Sequence, residues 1–211
     1  RRVVVLEARA GRDPRFRGEL MHPPGVRELE RLGLHRAMRA RGGEDVAGFA
    51  VVDEGGDRVV PLAYDREHAD GGPGYAMDHP LMLEALRDEV ARRPGVQLCF
   101  GARVTDVLRE SGRIAGVRTL DGREWRASLT LACEGRHSKL RGMLGLDGES
   151  ELLSYSVALL APGASLPAPG HGHVVIGGPG PLLAYPIGGA VRFCIDVPAD
   201  TEKGRDAIAR R

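Results

Sequence analysis

Val3-Val4-Val5-Leu6 is a continuous, mostly β-branched apolar run that ends at Glu7. Such a run suits a strand buried on both faces of a parallel sheet. A loop rich in arginine follows as far as Gly18. Pro23-Pro24 then opens a stretch with Val26, Leu29 and Leu32 at three-residue steps, which predicts a helix. A short helix is expected over 34–40, ended by Gly42-Gly43. Two strand-like stretches, 46–52 and 58–63, flank Asp53-Glu54-Gly55-Gly56-Asp57 and read as a hairpin with a long turn. Residues 66–74 read as a polar loop. From Pro80 to Arg92 the apolar positions Leu81, Leu83, Leu86 and Val90 alternate with charges in the pattern of an amphipathic helix.

Beyond Pro94-Gly95 the period shortens to that of strands, over 96–100, 103–110, 114–120, 124–127 and 129–133. Ser111-Gly112 and Asp121-Gly122 are turn signals between them. A helix is expected from Ser138 to Leu144, and four further strands over 155–160, 173–176, 182–187 and 191–197, broken by Pro and Gly. The last eleven residues, 201–211, read as the start of a charged helix. An α/β stretch followed by a mostly antiparallel sheet predicts two interleaved layers or domains.

Composition narrows the class. The 211 residues are 42% hydrophobic and 28% charged, which is enough apolar content to fold. Thirty basic against twenty-nine acidic residues leave a net charge of +1, which argues against binding nucleic acid through a basic surface. No apolar run approaches the roughly 18 residues of a membrane span. Cys99, Cys133 and Cys194 are far apart and lack any C-x-x-C spacing, so neither zinc nor a disulfide framework is expected, and a reducing cytoplasm is the natural setting. His171-Gly172-His173 has no third ligand nearby and is not read as a metal site. The chain starts inside a strand without methionine, which points to a piece of a longer protein.

Two segments carry candidate chemistry. An acid closing a strand, as Glu7 does, accepts hydrogen bonds from an adenosine ribose in dinucleotide-binding folds; it is otherwise an ordinary solvated strand end. In Leu129-Thr-Leu-Ala-Cys133-Glu134-Gly135-Arg136-His137-Ser138-Lys139-Leu140-Arg141 an apolar strand runs into an acid, a glycine and a helix-capping serine. Gly135 allows a sharp turn and close ligand approach, Ser138 can cap the helix, and Glu134 can accept from a ribose. A plain strand-to-helix turn explains the same residues equally well. No G-x-G-x-x-G, P-loop, G-x-S-x-G or H-E-x-x-H is present.

The second segment resembles the Asp-Gly motif of flavoprotein monooxygenases of the p-hydroxybenzoate hydroxylase type. Three further matches occur in order: VVVLEAR (3–9), RGELMHPPGVRELERLGL (17–34) and GPLLAYPIGGAVRFCIDVP (180–198). Together they are most similar to the squalene epoxidases. The resemblance implies an α/β fold, with a partial FAD-binding Rossmann-like domain (1–45 and 76–150) interleaved with a mostly antiparallel β-sheet substrate domain (46–75 and 151–211). It implies that Glu7 holds the adenosine ribose, that Arg15 and Arg17 lie near the flavin and pyrophosphate, that Val104 meets the adenine through its backbone, and that Glu134 occupies the acid position of the motif. Catalytic residues are not identified, and no metal is implied.

The implied activity is insertion of one oxygen atom into an apolar alkene or aromatic substrate, with FAD as cofactor and NAD(P)H and O2 consumed. The alternatives are a flavin reductase on the same scaffold, or a truncated remnant that holds no flavin. The implied location is the cytoplasm, at most peripheral to a membrane. The sequence departs from the family at Glu134, one methylene longer than aspartate, at Leu81 in place of an arginine, and at Phe49 in place of a tyrosine. The glycine-rich first strand and the late Gly-Asp motif of the family are absent, and are expected before residue 1 and beyond residue 211. The apolar residues expected to face the substrate are Leu159, Leu160, Val174, Ile176, Leu182, Leu183, Tyr185 and Ile187.

Overall fold

A computed structural model describes residues 2–11, 18–53, 55–64, 71–177 and 180–199. Arg15, Arg17 and the expected helix over 201–211 lie outside the described residues. In chain order the elements are β1 (Val3–Glu7), β2 (Gly18–Met21), α1 (Pro23–Arg31), α2 (His35–Arg39), β3 (Glu44–Val46), β4 (Gly48–Asp53), β5 (Val59–Ala63), β6 (Gly74–Asp78) and α3 (His79–Ala91). They continue with β7 (Val96–Phe100), β8 (Val104–Glu110), β9 (Arg113–Thr119), β10 (Glu124–Arg126), α4 (Lys139–Met143), β11 (Ser154–Pro162), β12 (His171–Ile176), β13 (Leu182–Ile187) and β14 (Ala190–Pro198). This is the mixed α/β class expected. The chain divides into two units, one of residues 1–14 and 90–151, the other of residues 15–89 and 152–211.

In the first unit β1 pairs in parallel with β7, from Val3 opposite Val96 to Glu7 opposite Phe100. A parallel pair is normally covered on both faces, yet Val3, Val4 and Val5 are exposed. Beside this pair in sequence, β8, β9 and β10 form an antiparallel meander. Its first turn is Ser111-Gly112, both residues at positive φ, as a two-residue hairpin turn requires. At the second turn the Asp121 carboxylate accepts from the Thr119 hydroxyl at 2.6 Å and from the Arg123 N–H at 3.2 Å. These bonds hold its pKa below the usual carboxylate range. Between Leu108 opposite Gly116 and Arg109 opposite Ile114 the register slips by one residue, a β-bulge. Gly116 is buried there at φ 148°, where an added Cβ would sit 2.1 Å from the Trp125 carbonyl oxygen.

The expected strand over 129–133 does not form. Residues 129–135 have no strand pairing, and Leu129 and Leu131 are 72% and 75% exposed. An apolar alternation needs a neighbouring strand before it becomes a strand, and the described residues supply none here.

In the second unit β2, β6 and β3 form an antiparallel sheet that the sequence pattern does not predict. It is buried on both sides. Tyr75 and Met77 pack with Val26, Met38 and Ala85 of the helices, while Ala76, one residue out of phase, packs with Val46, Tyr185 and Ile187. Leu81, which stands in place of the family's arginine, packs against the helix-side cluster.

The larger sheet has the order β11-β14-β13-β12-β4-β5, with only β12 and β4 parallel. The β4–β5 hairpin forms as expected, and the Asp53 carboxylate accepts from the Arg58 N–H across its turn at 3.1 Å.

Candidate functional site

Cross-strand partners in a sheet share a face, so the register of the six-stranded sheet sorts its side chains. Val174 lies opposite Leu183, Leu183 opposite Cys194, and Cys194 opposite Ala158. Leu160, Val174, Ile176, Leu183, Tyr185 and Ile187 therefore share one face, and Leu159 and Leu182 take the other. Six of the eight residues read from sequence as facing substrate thus fall together. Phe49 and Val51 of β4 and Val60 and Leu62 of β5 extend the same face, because Gly172 lies opposite Phe49 and Phe49 opposite Leu62.

One end of this face is core, since Tyr185 and Ile187 are buried against Val46 and Ala76. The rest is open: Leu183, Val60, Ile176 and Leu62 are exposed, and Phe49, Val51 and Val174 half-buried. Exposed apolar residues gathered on one sheet face mark a binding surface more often than scattered ones do. At its buried end the Tyr185 hydroxyl has its pKa pushed up to about 12 by burial, with Arg192 opposing that shift. Arg192 lies directly across the strand from Tyr185 and is itself buried. Burial and strand pairing bring Arg192 to this face, and neither is readable from its local sequence.

In the first unit Glu7 ends β1 half-buried, and its Oε1 accepts from the Arg9 N–H at 2.8 Å. The Glu7 carbonyl accepts from the Ala102 N–H at 2.9 Å, and the Arg9 carbonyl from the Gly101 N–H at 3.2 Å. These bonds bring the end of β1 to the 101–104 backbone, where Val104 opens β8 opposite Thr119. Gly101 is at φ 69°, and a Cβ there would meet nothing nearer than the Ala10 Cβ at 4.0 Å. The backbone beside Glu7 is therefore accessible.

Glu134 is occupied differently. Its Oε2 accepts from the Ser138 hydroxyl at 2.6 Å and from the Leu140 N–H at 2.9 Å. Ser138 caps α4 as expected, its Oγ accepting from the Arg141 N–H at 3.1 Å. Gly135 makes the turn at φ 81°. Arg141 closes the loop, donating from Nη2 to the Arg136 carbonyl at 2.7 Å and from Nε to Asp147 Oδ1 at 3.0 Å. The extra methylene of glutamate lets this carboxylate reach its own helix. Glu134→Ala is expected to weaken the first turn of α4 by about 1 kcal/mol. Amide exchange at Leu140 should then speed up roughly fivefold by NMR; an unchanged rate refutes the capping role.

Three segments meet on this sheet face around Phe49. His22, immediately before α1, stacks on Phe49 with ring centroids 5.6 Å apart and meets Tyr64 edge-on at 5.8 Å. The Tyr64 hydroxyl lies 2.8 Å from His22 Nδ1. The sequence singles out neither His22 nor Tyr64; the resemblance marks Phe49, but a polar pair assembled from separate segments leaves no local pattern. Among the described residues no group of His, Cys, Asp or Glu could hold a metal ion, and no helix is long and apolar enough to cross a membrane.

Residues 126–205 match the family model for squalene epoxidase. The chain is 35% identical over 204 residues to squalene epoxidase 3 of Arabidopsis thaliana, covering 94% of this chain and 38% of that protein. It is 31% identical over 204 residues to squalene monooxygenase SE2 of Panax ginseng, covering 94% of this chain and 37% of that one. The chain therefore spans less than two fifths of the length of these relatives. Among solved structures, PqsL of Pseudomonas aeruginosa, described as a probable FAD-dependent monooxygenase, aligns with a TM-score of 0.78 at 24% identity over 99% of this chain and 59% of that one. The p-nitrophenol 4-monooxygenase PnpA of Pseudomonas putida aligns with a TM-score of 0.82 at 20% identity over all of this chain and 54% of that one. The resemblance read from the sequence is borne out: this chain is similar in sequence to the squalene epoxidases along nearly its whole length and has the fold of FAD-dependent monooxygenases.

Proposed function

We propose that this chain is the part of a flavin-dependent monooxygenase that holds the adenosine end of FAD and presents an apolar substrate. The protein would insert one oxygen atom into an alkene or aromatic ring at the expense of NAD(P)H and O2. The FAD-binding part would comprise 1–45 and 76–150, and the substrate part 46–75 and 151–211.

The observation that carries this reading is the open apolar face shared by Phe49, Val60, Leu62, Val174 and Leu183. A mostly apolar surface with few polar groups is what a hydrocarbon substrate requires. For the cofactor, the carboxylate of Glu7 beside the accessible 101–104 backbone fits a ribose and its base. Glu134 fits less directly, because its Oε2 is committed to α4; its part is to hold the Gly135 turn in shape. Arg15 and Arg17 remain proposed neighbours of the flavin and pyrophosphate on the resemblance alone.

When bound, the flavin supplies the redox and oxygen-transfer chemistry. The chain's own residues bind and orient: Glu7 accepts from sugar hydroxyls, and the sheet face excludes water from the reacting carbon. The test uses the purified protein. Flavin absorbance in the visible, retained on gel filtration, is expected, together with O2-dependent NAD(P)H oxidation stimulated by an added alkene. Glu7→Ala is expected to weaken FAD about tenfold, the loss of a charge-assisted hydrogen bond. Protein that takes up no flavin at saturating FAD favours the remnant instead, and flavin reduction that added alkene does not alter favours the reductase.

A further inference from the structure

The His22–Phe49–Tyr64 cluster is built rather than incidental. The His22 carbonyl accepts from the Gly25 and Val26 N–H groups at 2.9 and 3.2 Å, which fixes the backbone from which the imidazole projects. Tyr64 is fixed likewise, its N–H donating to the Ala47 carbonyl at 2.9 Å. Two glycines make room for the rings. A Cβ at Gly172 would come within 2.9 Å of the Phe49 ring, and one at Gly74 within 3.1 Å of the Tyr64 ring. Phe49 and Tyr64 themselves meet edge-on at 6.3 Å.

Counting protons shows what the pair can offer. A neutral imidazole and a phenol carry two polar hydrogens between them. One lies in the Tyr64–His22 bond. The other, with an acceptor lone pair, remains available whichever tautomer the imidazole takes. Burial raises the Tyr64 pKa above the ordinary phenol range, so the hydroxyl keeps its proton at neutral pH. His22 is exposed, and its Nε2 has no partner among the described residues. A donor and an acceptor thus stand together at the edge of an apolar face, with the Phe49 ring belonging to both.

We propose that the His22–Tyr64 pair is the hydrogen-bonding end of the substrate surface, and that it selects a hydrocarbon bearing a hydroxyl or carbonyl oxygen over the bare hydrocarbon of the same skeleton. The inference rests on the reading of the sheet face as the substrate surface. An oxygen at one end of the substrate completes the pair's unused hydrogen bond, while the alkyl or alkenyl body lies along Phe49, Leu62 and Val60. A bare hydrocarbon covers the same apolar area but leaves the donor without water or partner, and that difference is the source of discrimination.

The test is equilibrium dialysis of the purified protein against a linear polyunsaturated alcohol and, separately, the alkene of the same chain length. The wild type is expected to bind the alcohol about tenfold more tightly. His22→Phe, which keeps the stacking on Phe49, and Tyr64→Phe should lower that ratio towards one without weakening the alkene. His22→Gln, whose amide retains a donor and an acceptor, should keep most of it. Equal binding of the two probes by the wild type, or a preference that survives in both Phe variants, overturns the inference and leaves the substrate surface standing. Binding of neither probe overturns both.

Discussion

Gly48→Ala is expected to lower the stability of the second unit by about 3 kcal/mol, a cost typical of forcing a backbone out of a packed position. Gly48 lies in β4 between two strands, opposite Ala63 of β5 and His171 of β12, and is buried. A Cβ there would stand 2.2 Å from the Leu62 carbonyl oxygen and 2.6 Å from the Ala63 Cα. Both obstacles are main chain, so no rotamer change relieves the overlap; β5 must move away from β4. The displacement reaches the candidate site, because it disturbs the pairing of Phe49 with Leu62 and the bond from Tyr64 to Ala47. A drop in melting temperature of roughly 6–12 °C should follow, read by far-ultraviolet circular dichroism. Gly148→Ala is the control, since a Cβ there meets nothing within 4 Å and the backbone has no positive φ. A melting temperature that Gly48→Ala does not move would show that β5 is not held against β4 as described.

The same strand shows what the sequence discloses. The alternation over 48–53 and the turn residues after it located the β4–β5 hairpin, because hairpins are decided by neighbours in sequence. The parallel pairing of β4 with β12, more than a hundred residues away, has no such local sign, and it alone brings Gly172 under the Phe49 ring. The sheet of β2, β6 and β3 went unread for a related reason: GELM and GYAMD are short and lack β-branched residues, and they become strands through burial between helices and the larger sheet. The segment 129–133 erred in the opposite direction. Its apolar pattern states a preference for burial, but a strand also needs hydrogen-bonding partners for its backbone. At the candidate site, the acids at positions 7 and 134 were visible because each follows an apolar run. That Glu134 turns back onto its own helix depends on the serine four residues later, which the run before Glu7 does not announce.

Acidification is expected to destabilise the second unit through His173. The imidazole is buried at 1% exposure on the sheet face opposite Phe49, with Ala50 and Ala184 as its cross-strand neighbours. Its Nε2 accepts from the Ala168 N–H at 3.1 Å, so in the neutral ring the proton is on Nδ1, which donates to the His171 carbonyl at 3.1 Å. Protonation would set an Nε2–H against the Ala168 N–H, donor against donor, in a place where water cannot compensate. Burial accordingly depresses the His173 pKa from its ordinary value near 6.5, the His171 carbonyl bond opposing the shift and the charge of His171 adding to it. The sign follows from proton uptake. Above the ordinary value both folded and unfolded chains hold this ring neutral, and stability does not depend on its titration. Below it the unfolded chain binds a proton that the folded chain refuses. Stability then falls as pH drops, with a limiting slope of about 1.4 kcal/mol per pH unit for one proton, until the depressed folded pKa is passed. His173→Leu removes that component, because there is no longer a group to protonate. It also leaves the Ala168 N–H and the His171 carbonyl without the ring as partner, at a cost of about 3 kcal/mol at neutral pH. Denaturant titrations at pH 7.5, 6.5 and 5.5 separate the two effects: the variant should begin lower and lose less between the two more acid conditions than the wild type does. Parallel losses in both proteins would mean that the acid sensitivity of this unit lies in another group.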